Sequence, residues 1–477
     1  MGQRRKLSKK QCPAAAKCLH ALRGAQNRFF QNGYLRGQRY AATEPLFSPN
    51  HLCMELYYSF SMLIVLASLF AYINLRFLKL PSTIGIMLMA IFVSIVIRFF
   101  GNTLFPETTH KLFKLISEMD FTEILMGAML NFLLFAGAVH VNFADLRQQR
   151  LPVLVFSTIS VILSTFVIGA ILFYITPLFN VELPFLYCLL FGALISPTDP
   201  IAVLGILKKA KVSKALETKI TGESLFNDGV AVVLFAVILQ LTQTDDAQIS
   251  LGSISWLLAK EAIGGLALGA VLGYTASKAI RSIDDYIVSA LITLSVVMGG
   301  YLIAHSIHIS GPLTMVAAGL LIGNYGKKVA MTPLTKDYLT KFWELLDEIL
   351  NAVLFLFIGF ELLLIPDFET YWVISVVAIF IVLIARFLSI FIPSLIVPFK
   401  PRLTRGSLTM LVWGGLRGGV SIALVLSVNN GVYKELLLEM TYFVVVFSIV
   451  VQGLTVGKVA NRVLIKPVRK VSVPEHV

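Results

Sequence analysis

The chain has 477 residues, 57% hydrophobic and 14% charged, with a mean hydropathy of +0.81. Soluble domains carry about 25% charged residues, so the composition excludes an ordinary water-soluble protein and implies an all-α polytopic membrane protein. The formal charge of +13 is concentrated at one end: residues 1–53 hold ten Lys/Arg and one acid, Glu44, which leaves 30 basic against 26 acidic residues, or +4, elsewhere. No nucleic-acid partner is expected from such a balance.

Residues 1–53 form a basic segment without the apolar core of a signal peptide. It reads either as a disordered tail or as sequence absent from the mature protein, with Met54 as the natural start. A basic arm on the membrane surface and a targeting peptide are the alternatives. Residues 54–465 form the membrane domain, and 466–477 a short tail. Cys12, Cys18, Cys53 and Cys188 show no zinc or redox spacing, and there is no dinucleotide fingerprint or P-loop. No cofactor is expected.

Apolar runs of about 20 residues cross a bilayer as helices. Hydropathy predicts thirteen, at 55–77, 82–100, 121–141, 151–177, 184–207, 217–243, 254–280, 286–306, 310–326, 343–365, 371–396, 405–429 and 438–461. Connections after the odd-numbered spans, including KKAKVSK (208–214), are much richer in Lys and Arg than those after the even-numbered ones. The positive-inside rule puts the first set and the C-terminus in the cytoplasm.

Spans 5 and 12 contain SPTDP (196–200) and WGGLRGGV (413–420). Pro197 and Pro200 lack N–H groups and should leave the carbonyls of Ala193 and Ser196 without helical partners. Interrupted segments at matching places in two halves point to inverted repeats, with two broken crossing helices around a site at mid-membrane. Asp199 sits in one break and Arg417 in the other, where each can neutralise exposed half-helix ends.

Span 6 carries GESLFNDG (222–229), although an ionised group at the bilayer centre costs roughly 3 kcal/mol. Ser224 and Asp228 stack on one helical stripe, and Glu223 and Asn227 on the next. The first stripe supplies hard oxygens for a small cation. The second anchors the helix, with Glu223 a natural partner for Arg417. Asp228 is then the titrating group and Glu223–Arg417 a structural ion pair.

LISPTDPIAVLGILKKAKVSKALETKITGESLFNDGVAVVLF (194–235) closely resembles the core of monovalent cation/proton antiporters of the NhaP and sodium/proton exchanger type. So do NFLLFAGAVHVNFADL (131–146), HISGPLTMVAAGLLIGN (308–324), FWELLDEILNAVLFLFIGFEL (342–362) and WGGLRGGVSIALVLS (413–427). The resemblance implies a homodimer in a bacterial inner membrane, exchanging Na⁺ (or Li⁺ or K⁺) for H⁺ by elevator-like alternating access and regulating internal pH and sodium. It makes Asp228 the ion- and proton-binding aspartate. Asn227 becomes the mark of the electroneutral branch, Asp199 and Thr198 residues of the span 5 break, and Ser224 a coordinating serine. The transported metal would be held by Asp228, Ser224 and Thr198. Glu223 and Arg417 match a stabilising pair. One departure is Ala136, in LLFAGA, where some relatives carry an acid.

Other polar residues carry weaker readings. His305 and His308 form a membrane-edge pair, His140 hydrogen-bonds locally, and Arg386 pairs with a carbonyl or acid of the core. Glu344, Asp347 and Glu348 open span 10 and can attract cations. Three rival functions are a K⁺/H⁺ antiporter, a channel or a solute symporter on a related fold. An intramembrane aspartyl protease using Asp199 and Asp228 would need YD and GxGD signatures that the chain lacks, so no enzyme is expected.

Overall fold

In hydrocarbon a backbone must satisfy its own hydrogen bonds, and a helix does so within one segment. The computed structural model describes residues 49–101, 129–200, 203–205, 207, 212–243, 251–283, 285–363, 368–399, 403–429, 431 and 433–464. It divides into two units, Met1–Met54 and Glu55–Val477, and only the opening of one helix is described in the first. The expected tails, apart from that opening, and most of the basic run 208–214 lie outside the described residues.

The described elements are helices, apart from one isolated β-bridge. In order they are α1 (Pro49–Ile73), α2 (Ser82–Val96), α3 (Leu130–His140), α4 (Phe143–Gln148), α5 (Arg150–Phe179, with one π turn) and α6 (Phe185–Leu194). Next come α7 (Lys214–Gln243), α8 (Leu251–Arg281), α9 (Tyr286–Ser306), α10 (Gly311–Leu321) and α11 (Pro333–Glu361). The last are α12 (Phe368–Ile396), α13 (Arg405–Trp413), α14 (Gly419–Leu426), α15 (Lys434–Phe447) and α16 (Gly453–Leu464). Several starts are fixed by side-chain caps: Asp285 accepts from the Val288 N–H at 2.8 Å and Thr404 from the Ser407 N–H at 3.1 Å.

Eight described helices are long and apolar enough to cross a membrane, and they coincide with expected spans 1, 2, 4, 6, 7, 8, 11 and 13. Each of the other five differs for a local reason. Span 3 begins outside the described residues, and span 9 is an eleven-residue helix followed by a π turn. Most of span 10 lies in α11, which carries Glu344, Asp347 and Glu348 about its middle. Spans 5 and 12 lose regular helix after Leu194 and Trp413.

Glycines set the closest packing. A Cβ on Gly265 of α8 would lie 2.7 Å from the Ser310 carbonyl oxygen, and one on Gly273 would lie 3.0 Å from that of Ala318. On the far side of α10, a Cβ on Gly319 would lie 2.8 Å from the Phe135 carbonyl oxygen of α3. With no hydrophobic drive between helices in lipid, such backbone approach is what holds them. Helices α3, α8, α9 and α10 therefore share one apolar cluster with Trp343. A larger cluster joins α2, α6, α12, α14 and α15, and α5, α7 and α11 contribute to both. Helix α7 thus runs along the seam between the two clusters.

Candidate functional site

After α6 ends at Leu194, residues 195–200 are not helical. The Asp199 N–H donates to the Leu416 carbonyl at 2.7 Å, and these two residues form the isolated antiparallel bridge. The second non-helical stretch, 414–418, separates α13 from α14. The two non-helical stretches therefore meet at this bridge. Glycine is required where they touch, since a Cβ on Gly418 would lie 2.6 Å from that of Asp199.

The freed carbonyls are used. Arg417, only 2% exposed, donates from Nη1 to the Ser196 carbonyl and, at 3.0 Å, to that of Pro197. The Ala193 carbonyl, expected to be orphaned, accepts from the Ser196 N–H at 3.2 Å. Arg386 donates to the Leu411 carbonyl at 2.8 Å, near the end of α13. Each helix that stops at the crossing thus has a guanidinium at its C-terminal end, where a cation opposes the macrodipole.

Glu223 does not pair with Arg417 as expected. Its Oε1 lies 2.6 Å from Nη1 of Arg386, with both side chains buried. The physical reason is that Arg417 is already held by the carbonyls of the span 5 break, so the carboxylate of α7 meets the cation of α12. The general expectation for Arg386, a carbonyl or an acid of the core, describes both of its bonds.

From α7, Ser224 Oγ donates to the Thr198 carbonyl, and Asn227 Nδ2 donates to Thr198 Oγ1 at 2.7 Å. The Thr198 N–H returns a bond to Asn227 Oδ1 at 3.4 Å. Three bonds from two side chains of one helix fix Thr198. Asp228 is 8% exposed, and its buried Oδ1 has no hydrogen-bond partner. Thr198, Asp199 and Asp228 line a cavity of about 620 Å³. Glu217, Glu344, Asp347 and Glu348 line it too, so its wall is strongly acidic. Gly137 lies on that wall whereas Ala136 is buried off it. His140 also faces the cavity, and exposed His305 stacks on Tyr301 with ring centroids 5.9 Å apart.

Two residues at the crossing escaped sequence reasoning. Ser448 Oγ accepts from the Arg417 N–H at 2.9 Å and donates to Gln452 Oε1 at 2.7 Å. Gln452 Nε2 in turn reaches the Trp413 carbonyl at 3.4 Å. Both lie in the π turn Ser448–Gln452 between α15 and α16. Isolated polar residues in an apolar run give little signal of which gap they fill.

The family model for the transmembrane sodium/hydrogen exchanger matches residues 64–462. The chain belongs to this family. The Na(+)/H(+) antiporter NhaP of Pseudomonas aeruginosa is 47% identical over 406 residues, covering 84% of this chain and 95% of that protein. The Na(+)/H(+) antiporter NhaH of Halobacillus aidingensis is 33% identical over 392 residues, covering 81% and 93%. Among solved structures, the sodium proton antiporter MjNhaP1 of Methanocaldococcus jannaschii at pH 8 superposes with a TM-score of 0.66 at 21% identity. That match covers 87% of this chain and all of that one, a likeness of fold. The exchanger described here is therefore a multi-pass membrane protein, and its site residues all fall inside the matched region.

Proposed function

We propose that this exchanger is a secondary antiporter carrying Na⁺ one way and H⁺ the other, with Asp228 as the carboxylate they share. The observation that supports it most directly is the buried, unpartnered Oδ1 of Asp228 at an acid-lined cavity. A carboxylate oxygen without a donor is free to take a metal ion or a proton. Ser224 Oγ, Asp199 and the Thr198 carbonyl complete the oxygen ligands for the substrate cation, and Asn227 holds Thr198 in place.

Because one carboxylate takes either ligand, the two compete. Exchange of one for one moves no net charge. Asn227, beside Asp228, contributes no second ionising group. Glu223, Arg386 and Arg417 are tied to one another or to backbone and serve as fixed framework. We read the fold as thirteen spans in inverted repeats, with spans 5 and 12 broken at the crossing. The protein is a homodimer in a bacterial plasma membrane, with the acidic cavity and the C-terminus facing the cytoplasm. Alternating access moves the crossing relative to the glycine-packed α3–α8–α10 group.

Proteoliposomes with a trapped pH dye test this reading. Wild type alkalinises or acidifies the lumen when Na⁺ or Li⁺ is imposed, without needing a membrane potential. Asp228→Asn abolishes the signal while keeping a normal melting curve in detergent. Exchange retained by the variant overturns the assignment.

A further inference from the structure

A second cavity, of about 1080 Å³, shares no lining residue with the one at Asp228. It lies among α4, α7, α8 and α10. Its floor is apolar, with Phe226, Leu266 and Leu320 among the lining side chains. Three cations, Arg147, Arg150 and Lys328, stand on its wall, and no acid does. All three are exposed, and none forms an ion pair with any described residue. Tyr325 and Asn324 line it too, the Asn324 amide accepting from the Phe143 N–H and donating to the Val141 and Leu320 carbonyls.

This pairing of surfaces selects one kind of occupant. A soluble anion would use the cations but leave the apolar floor unfilled. An uncharged lipid would cover the floor but leave three positive charges unanswered. Basic pockets between transmembrane helices on the cytoplasmic side suit anionic head groups, and arginine binds phosphate oxygens in a bidentate fork. We infer that the cavity is a binding site for one anionic phospholipid. Arg147, Arg150 and Lys328 hold its phosphate, and an acyl chain lies over Phe226, Leu266 and Leu320. The orientation given under the proposed function makes the inner leaflet the source of that lipid. Binding in detergent has no leaflets, so a wrong orientation and a wrong site fail separately.

The test is native mass spectrometry of the full-length protein in detergent with added phosphatidylglycerol or phosphatidylcholine. Wild type retains one phosphatidylglycerol per chain and at least tenfold less phosphatidylcholine. Arg147→Gln/Arg150→Gln/Lys328→Gln weakens phosphatidylglycerol retention at least tenfold. Lys336→Gln/Lys341→Gln/Arg405→Gln, which removes three exposed charges elsewhere, leaves it unchanged. Ala270→Phe, filling the cavity but sparing its charges, also weakens retention, and lipid-free melting curves confirm that every variant folds. Three results overturn the proposal: equal retention of the two lipids, retention by the first triple variant, or displacement by equimolar inorganic phosphate. Conversion of a dimer to monomers by Ala270→Phe with lipid retention unchanged also overturns it, because the cavity then receives a second copy of the chain.

Discussion

Nη1 of Arg386 on α12 lies 2.6 Å from Oε1 of Glu223 on α7, with both side chains buried. Removing one member of such a pair strands the other charge and costs about 3–5 kcal/mol. Glu223→Ala and Arg386→Ala should each lower stability by about 3 kcal/mol or more. The double variant should lose clearly less than their sum, as read from detergent melting curves in a double-mutant cycle. A cycle of Glu223 with Arg417 should give the smaller coupling; the reverse order would contradict the pairing.

The crossing depends on a missing side chain. A Cβ on Gly418 would lie 2.6 Å from that of Asp199 and 2.7 Å from its Oδ2, so Gly418→Ala must push the acid aside. Exchange should slow by about tenfold or more, since a shift of about 1.4 kcal/mol in the transition state suffices. Gly299→Ala, where a Cβ meets nothing within 4 Å, should leave both flux and melting temperature unchanged.

Ser448 Oγ accepts from the buried Arg417 N–H at 2.9 Å. Ser448→Ala leaves that donor unsatisfied, at a cost of about 1–3 kcal/mol. Ser448→Thr, which keeps the hydroxyl, should recover part of the lost stability. Equal melting temperatures for wild type and Ser448→Ala would show that the bond contributes nothing.

Lys327, just beyond α10, donates to the Val139 carbonyl at 3.2 Å. Burial, aided by nearby Lys336, pushes its amine down from 10.5 to about 8. Folding therefore opposes this charge, and between about pH 8 and 10.5 the unfolded chain holds the extra proton. Stability from this residue should rise with pH across that window and be lowest below it. Lys327→Met should flatten the difference, measured as melting temperature against pH.

Much of the architecture could be read from the chain because lipid restricts the choices. Long apolar runs had to be helices, and eight of the expected spans coincide with described helices at nearly the same limits. The two interruptions were visible because Pro197, Pro200 and the Gly414–Gly415 and Gly418–Gly419 pairs are poor helix interiors wherever they occur. Partnership was harder. Glu223 could be recognised as needing a cation, yet choosing Arg386 over Arg417 requires knowing that the latter is held by the Ser196 and Pro197 carbonyls. The two-stripe reading of α7 also separated Asn227 from Ser224, whereas both converge on Thr198. Non-helical backbone at 196–200 brings one residue within reach of both stripes, a geometry that helical spacing alone does not describe.

The crossing gathers five ionisable side chains: two arginines, 386 and 417, and three acids, 199, 223 and 228. With all of them ionised, a single negative charge is left over. On the proposed mechanism, one Na⁺ or one H⁺ cancels it, so the loaded centre travels neutral while the vacant one would drag an unbalanced ion through a poorly polarisable medium. Idle return strokes are thereby suppressed, and leak is held down by arithmetic rather than by a gate.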